Sequence, residues 1–189
     1  MDFSNYKYRA AIEKTLKEFL PEKATAEWTE KLVGKVRWKQ DTNAITGAVN
    51  NPIWNFLDRG GKRWRPMLMT ICCEAVGGKA ENILQFTVIP ELIHNGTLII
   101  DDIEDGSDTR RGKPALHKLF GTDIAINAGN TLYFLPYILV RDSKFSNEMK
   151  NKAYETISTQ LLKCHLGQAT DIYWHNSPDS IPTEEEYLQ

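Results

Sequence analysis

Four acids fall within five residues at Asp101, Asp102, Glu104 and Asp105, where an apolar run from Ile93 comes to an end. Acids at a helix C-terminus face the negative end of the macrodipole and repel one another at i, i+4 spacing, so the cluster calls for a cation. At about 100° per residue Asp101 and Asp105 share one face, and His94 falls within about 20° of Asp101, with Leu98 between. Oxygen ligands without cysteines suit Mg²⁺, which takes one or two carboxylates and fills its shell with water and phosphate. Taken alone, the cluster also reads as a solvated acidic helix end. Gly60-Gly61-Lys62-Arg63-Trp64-Arg65-Pro66 is its mirror image. Here cations crowd a helix N-terminus whose free N–H groups already favour an anion. Arg110 and Arg111 add guanidinium forks suited to diphosphate, and they could equally pair with Asp108 or with the acidic cluster. Together these residues describe a site for Mg²⁺ and diphosphate beside apolar helices.

The elements that must position them are helical. Apolar spacing predicts helices over residues 3–20, 24–38 (interrupted at Gly34), 43–58 (weakened at Asn50-Asn51-Pro52) and 65–76. Others are expected over 80–105 with a kink at Pro90, 115–120, 122–140 with a bend at Pro136, and 147–174. Gly60-Gly61 and Gly77-Gly78 punctuate them, Gly106 stands where a C-terminal cap belongs, Pro178 and Pro182 mark a loop, and Thr183 opens a last helix. Strand alternation is scarce and no glycine-rich βαβ signal occurs. The expected class is all-α.

Composition excludes several function classes. The 189 residues are 41% hydrophobic and 25% charged, ordinary for a soluble globular protein of one domain. A net charge of −2 argues against general nucleic-acid binding. The N-terminus lacks a signal-peptide pattern, and the apolar stretches Val88–Ile100 and Thr131–Val140 are short or interrupted, so no transmembrane segment is expected. Cys72, Cys73 and Cys164 form no disulfide or metal framework and read as reduced core residues of a cytoplasmic protein.

Gly-Gly-Lys-Arg-Trp-Arg-Pro at 60–66, His94 seven residues before Asp101, and Asp-Asp-Ile-Glu-Asp followed by Arg110-Arg111-Gly112 resemble the motifs of the trans-isoprenyl diphosphate synthases. Gly167-Gln168-Ala169-Thr170-Asp171 resembles the Gly-Gln-x-x-Asp of a later active-site helix in the same polyprenyl synthetase family. The resemblance runs from about residue 45 onward. It implies an all-α isoprenoid-synthase bundle, with residues 1–189 as the N-terminal portion of a single synthase domain. It implies head-to-tail prenyl transfer, joining isopentenyl diphosphate to an allylic diphosphate in a Mg²⁺-dependent reaction. By position, Asp101 and Asp105 would hold Mg²⁺ on the allylic diphosphate, with Asp102 in support and Arg110 gripping that diphosphate. Lys62, Arg65, His94 and Arg111 would bind isopentenyl diphosphate, with Gln168 among the substrate-binding residues. Small Gly96 and Thr97, where the family sets a floor for the growing chain, imply a geranylgeranyl or longer product.

The family's second aspartate-rich motif and its Lys-Thr pair do not occur in these residues. The expectation is a shortened chain or one half of a split enzyme, inactive alone. A second polypeptide would supply the C-terminal helices through the apolar face of Leu161, Leu162 and Leu166, and the assembled unit would dimerise. A non-catalytic regulatory subunit is the alternative. A class I terpene cyclase shares the acidic motif but has no use for Lys62, Arg65 and His94.

Overall fold

In the computed structural model, residues 6–177 and 181–188 are described. The expected start of the first helix at residues 3–5, and Pro178 of the expected loop, lie outside them. In chain order the helices are α1 (Arg9–Phe19), α2 (Ala26–Val33), α3 (Thr42–Ile45), α4 (Asn51–Leu57), α5 (Trp64–Ala75), α6 (Val88–Glu104), α7 (Leu116–Phe120), α8 (Thr122–Arg141), α9 (Asn147–His175) and α10 (Glu184–Leu188). Between α6 and α7 a two-residue ladder pairs β1 (Thr109–Arg110) with β2 (Lys113–Pro114). The architecture is all-α, as expected. The chain forms two compact units, one ending at Leu139 and the other beginning at Val140.

The first unit owes its core to helix faces that repeat at helical spacing. Leu16, Trp28, Ile53, Phe56, Leu92, Ile99 and Leu132 are buried together. The turns after α1 are bonded into this core, which is why the N-terminal residues belong to it. Trp28 Nε1 donates to Phe19 O at 3.0 Å, Trp54 Nε1 to Leu20 O at 3.1 Å, and Asn50 Nδ2 to Pro21 O at 2.8 Å.

Four expectations change. The helix expected over 24–38 stops at Val33, because Gly34 takes φ +80 and closes it with a bond to Glu30 O. Val36 and Trp38, which imitate helical spacing, lie beyond it and are exposed. The weakness at Asn50-Asn51-Pro52 becomes a π-helical turn over Thr46–Asn50, which admits Pro52 near the start of α4 without a break. The helix expected over 80–105 does not kink at Pro90. It enters as a 3₁₀ segment over Ala80–Thr87, and Pro90 lies in the first turn of α6, where a missing N–H costs nothing. Finally, Cys72 and Cys164 are exposed and Cys73 is half-buried, so the three free thiols are not core residues. On α5 the buried face is Pro66, Met67 and Thr70, which turns Cys72 outward, and α9 buries none of its described residues.

Among the described residues, one segment, Ala80–Glu104, is long and apolar enough to cross a membrane. Val88, Leu92 and Ile99 from this segment are packed in the core instead.

Candidate functional site

Helix α5 begins with a residue the backbone holds in place. Arg63 takes the left-handed conformation, φ +50, just before the first turn. Its guanidinium is buried and pairs with Glu91 at 2.7 Å and Glu13 at 3.0 Å, while Nη2 donates to Leu57 O at 3.1 Å. Glu91 also accepts from Asn95 Nδ2 at 2.9 Å. This buried pair pins the start of α5 to α6 across 28 residues of sequence. It leaves Lys62 and Arg65 exposed or half-exposed on either side of Arg63.

The result is a recess of about 250 Å³ whose lining includes Lys62, Arg63, Arg65, Glu91, His94 and Arg111. Its charges strain against one another. Burial and the Arg65 charge push His94 down to about 4, Glu91 opposing and Arg111 and Arg110 reinforcing the shift. Burial lowers Arg65 and Arg111, and for Arg111 the nearby Arg63 lowers it further. Such a field is relieved by an anion. The structure thus brings together Lys62, Arg65, His94 and Arg111, four residues singled out from the sequence.

A tight hairpin carries the neighbouring arginines to two different places. Arg111 and Gly112 both have positive φ, +53 and +74, at the turn between β1 and β2. Arg59 braces the hairpin, donating to Pro114 O at 2.8 Å and to Asn55 Oδ1 at 2.7 Å. Arg111 reaches the recess, donates to Gly60 O, and lies 5.5 Å from the Phe56 ring centroid. Arg110 instead takes the acidic cluster. Its Nη2 lies 2.5 Å from Asp102 Oδ1 and 3.4 Å from Asp101 Oδ2. Of the two readings open to these arginines, Arg110 adopts the ion pair and Arg111 the anion recess.

Asp102 is fully buried, and its Oδ2 has no hydrogen-bond partner. Asp101 is partly exposed and Asp105 exposed, one turn apart where Gly106, at φ +62, ends α6. Among the described residues no group of three or more His, Cys, Asp or Glu side chains is set to hold a metal ion. Two accessible carboxylates of oxygen alone nevertheless fit Mg²⁺, which needs no more from the protein when phosphate and water complete its shell. By helical rise, His94 and Asp101 stand about 10 Å apart along α6. One helix therefore links an anion recess to a carboxylate end.

The two residues expected to set chain length differ in setting. Gly96 is buried where α6 crosses α8, and a Cβ there would meet Gly129 O at 2.9 Å. Its smallness therefore serves the helix crossing. Thr97 is half-buried and donates to His94 O at 2.8 Å. Gln168 belongs to the second unit, midway along α9, and is half-buried. Arg59, Arg63, Glu13 and Glu91 escaped the sequence reading. The only local signal was the place of Arg63 between Lys62 and Arg65 in the motif.

The model of the family described as polyprenyl synthetase matches residues 47–189. A geranylgeranyl pyrophosphate synthase of Neocamarosporium betae is 33% identical over 156 residues, covering 82% of this chain and 43% of the relative. A geranylgeranyl diphosphate synthase of Methanosarcina mazei is 39% identical over 135 residues, covering 70% of this chain and 40% of the relative. The crystal structure of a geranylgeranyl pyrophosphate synthetase from Pyrococcus horikoshii superposes with a TM-score of 0.79 at 30% identity, covering 98% of this chain and 50% of that one. The chain thus spans about two fifths of these curated relatives and half of the solved structure.

Proposed function

The chain belongs to the polyprenyl synthetase family, and on that premise we propose that it takes part in head-to-tail prenyl transfer from an allylic diphosphate to isopentenyl diphosphate. The observation that carries the reading is the recess where Lys62, Arg65, His94 and Arg111 converge, at a fixed distance along α6 from Asp101 and Asp105. In this reading the recess binds the diphosphate of isopentenyl diphosphate. Arg63 and Glu91 hold its walls. Asp101 and Asp105 would hold Mg²⁺ beside the allylic diphosphate, and Asp102 fixes Arg110 next to Asp101. Bound there, Mg²⁺ would offset charge developing on the leaving group. The two substrates are thereby aligned so that the isopentenyl double bond attacks the allylic carbon. A C–C bond forms, the C–O bond breaks, diphosphate departs and a proton is lost.

The finer parts of the proposal are a geranylgeranyl or longer product, Gln168 as a further substrate contact, and a cytoplasmic setting. They also include a second polypeptide supplying a second aspartate-rich motif, which residues 1–189 do not contain, with the assembled unit as a dimer and residues 1–189 as one portion of its synthase domain. Inorganic pyrophosphate binding to the purified chain tests the recess directly. Lys62→Ala or Arg65→Ala should weaken it by at least about tenfold, from a lost charge-assisted bond of roughly 1.5–3 kcal/mol. Undiminished binding would refute the assignment. Prenyl transfer assayed with and without a candidate complement tests the second polypeptide, and full activity of the chain alone removes it. A non-catalytic regulatory subunit is the second reading. Asp101→Ala with Asp105→Ala separates the two, since modulation of a full-length synthase survives only in the regulatory case.

A further inference from the structure

Between α2 and α3 the chain presents a surface that the catalytic reading does not use. Val33, Val36 and Trp38 are 68%, 44% and 75% exposed, and Trp38 is the most exposed tryptophan among the described residues. Trp28 and Trp54, by contrast, are buried. Lys35, Arg37 and Lys39 alternate with these apolar residues, and no acid occurs from Lys31 to Gln40 in a chain whose net charge is −2. The Arg37 guanidinium lies 5.2 Å from the Trp38 ring centroid, so the contact keeps indole and cation together within the loop. Both ends are anchored. Gly34 N bonds to Glu30 O at 2.7 Å, and Asp41 Oδ1 accepts from Asn43 N and Ala44 N at 3.0 Å.

We propose that this loop, Val33–Lys39, docks the protein onto an anionic lipid bilayer surface. Tryptophan prefers the headgroup level, where its ring is half-buried and its N–H stays wet. Lysine and arginine beside it are drawn to anionic lipid. A protein partner fits less well, because lysine is depleted from the buried centres of protein interfaces. The docking is superficial and reversible: three apolar side chains and three cations lie on the membrane without spanning it. It holds whether or not the chain transfers prenyl groups.

Co-sedimentation of the full chain with vesicles decides the matter. Vesicles of phosphatidylcholine mixed with phosphatidylserine should bind it at least about tenfold more strongly than phosphatidylcholine alone, an advantage that salt erodes. The triple variant Lys35→Glu, Arg37→Glu and Lys39→Glu should lose that advantage. Trp38→Ser should weaken binding severalfold while keeping its salt dependence. These exposed positions leave the core intact, which circular dichroism verifies. Equal binding to both vesicle types, unaltered binding by the triple variant, or no binding to the mixed vesicles at low ionic strength would each overturn the proposal. So would a crosslink from Trp38 to a protein partner in a chain that ignores vesicles.

Discussion

His94 sits among more positive charge than its own titration tolerates. Its conjugate acid is pushed down to about 4, chiefly by burial and then by Arg65, so at neutral pH the ring is uncharged. The sign of the stability effect follows. Between 6.5 and about 4 the unfolded chain binds a proton that the folded chain refuses, so the protein loses stability as pH falls through that window. His94→Gln should flatten this part of the pH–stability curve, read from urea midpoints. An equal slope in both proteins would mean that His94 is not the group responsible. The same field gives a binding prediction. A diphosphate beside Arg65 and Arg111 offsets the repulsion, so its arrival raises the proton affinity of the ring. Calorimetry at mildly acidic pH, in buffers of different ionisation enthalpy, should show more proton uptake with pyrophosphate for the wild type than for His94→Gln. Arg63 also carries stability, through its buried pair with Glu91. Arg63→Met strands Glu91, which is buried, and should cost about 3–5 kcal/mol in denaturant unfolding, whereas Lys62→Met on the surface should stay within about 0.5 kcal/mol. Comparable losses for the two variants would contradict the roles assigned to them.

At the scale of elements, α6 is where site and core meet, and its crossing with α8 sets how closely they pack. A Cβ on Gly96 would meet the backbone oxygen of Gly129 at 2.9 Å, while one on Gly129 would meet the mobile Cδ1 of Ile100 at the same distance. A backbone oxygen cannot step aside as a side-chain end can. Gly96→Ala should therefore cost about 1–3 kcal/mol and Gly129→Ala distinctly less, by thermal or urea unfolding. The reverse order would show that α8 yields more easily than the Ile100 side chain. This also makes Thr97, rather than Gly96, the position at which to probe product length, since a bulky residue at Gly96 disrupts the helix crossing. Such crossings were not legible in the sequence, where Gly96 reads as a small residue at the chain-length position and not as a helix contact. Helix boundaries were legible at Gly77, Gly106 and Gly121. They failed where Val36 and Trp38 kept helical spacing past Gly34, because periodicity does not report what a side chain packs against. Lys62, Arg65, His94 and Arg111 were legible as residue types at informative spacing. Arg63 was not, because its partners Glu91 and Glu13 lie 28 and 50 residues away and only the fold brings them near.

Over the whole molecule, stability is unevenly distributed. The first unit has the packed core, whereas α9, with 29 residues, buries none of its described residues. Most helical stability in proteins comes from a packed face, and among the described residues α9 has no buried one. The Ser146 cap, which accepts from Met149 N at 3.2 Å, adds only about 1 kcal/mol. Leu162, Leu166 and Tyr173 are 60%, 61% and 66% exposed, and at about 100° per residue they fall within about 40° of one another. They form a stripe made for burial. Amide hydrogen exchange on the dilute chain should therefore show α9 opening at little cost, while the buried turns of α6 exchange only through global unfolding. The second polypeptide of the functional proposal predicts the converse. Covering each leucine, already about 40% buried, would contribute about 1–2 kcal/mol, enough to raise the protection of α9. Protection of α9 equal to that of α6 in the dilute chain would show that the stripe is already covered, and a complement that restored activity without slowing exchange in α9 would have to act elsewhere.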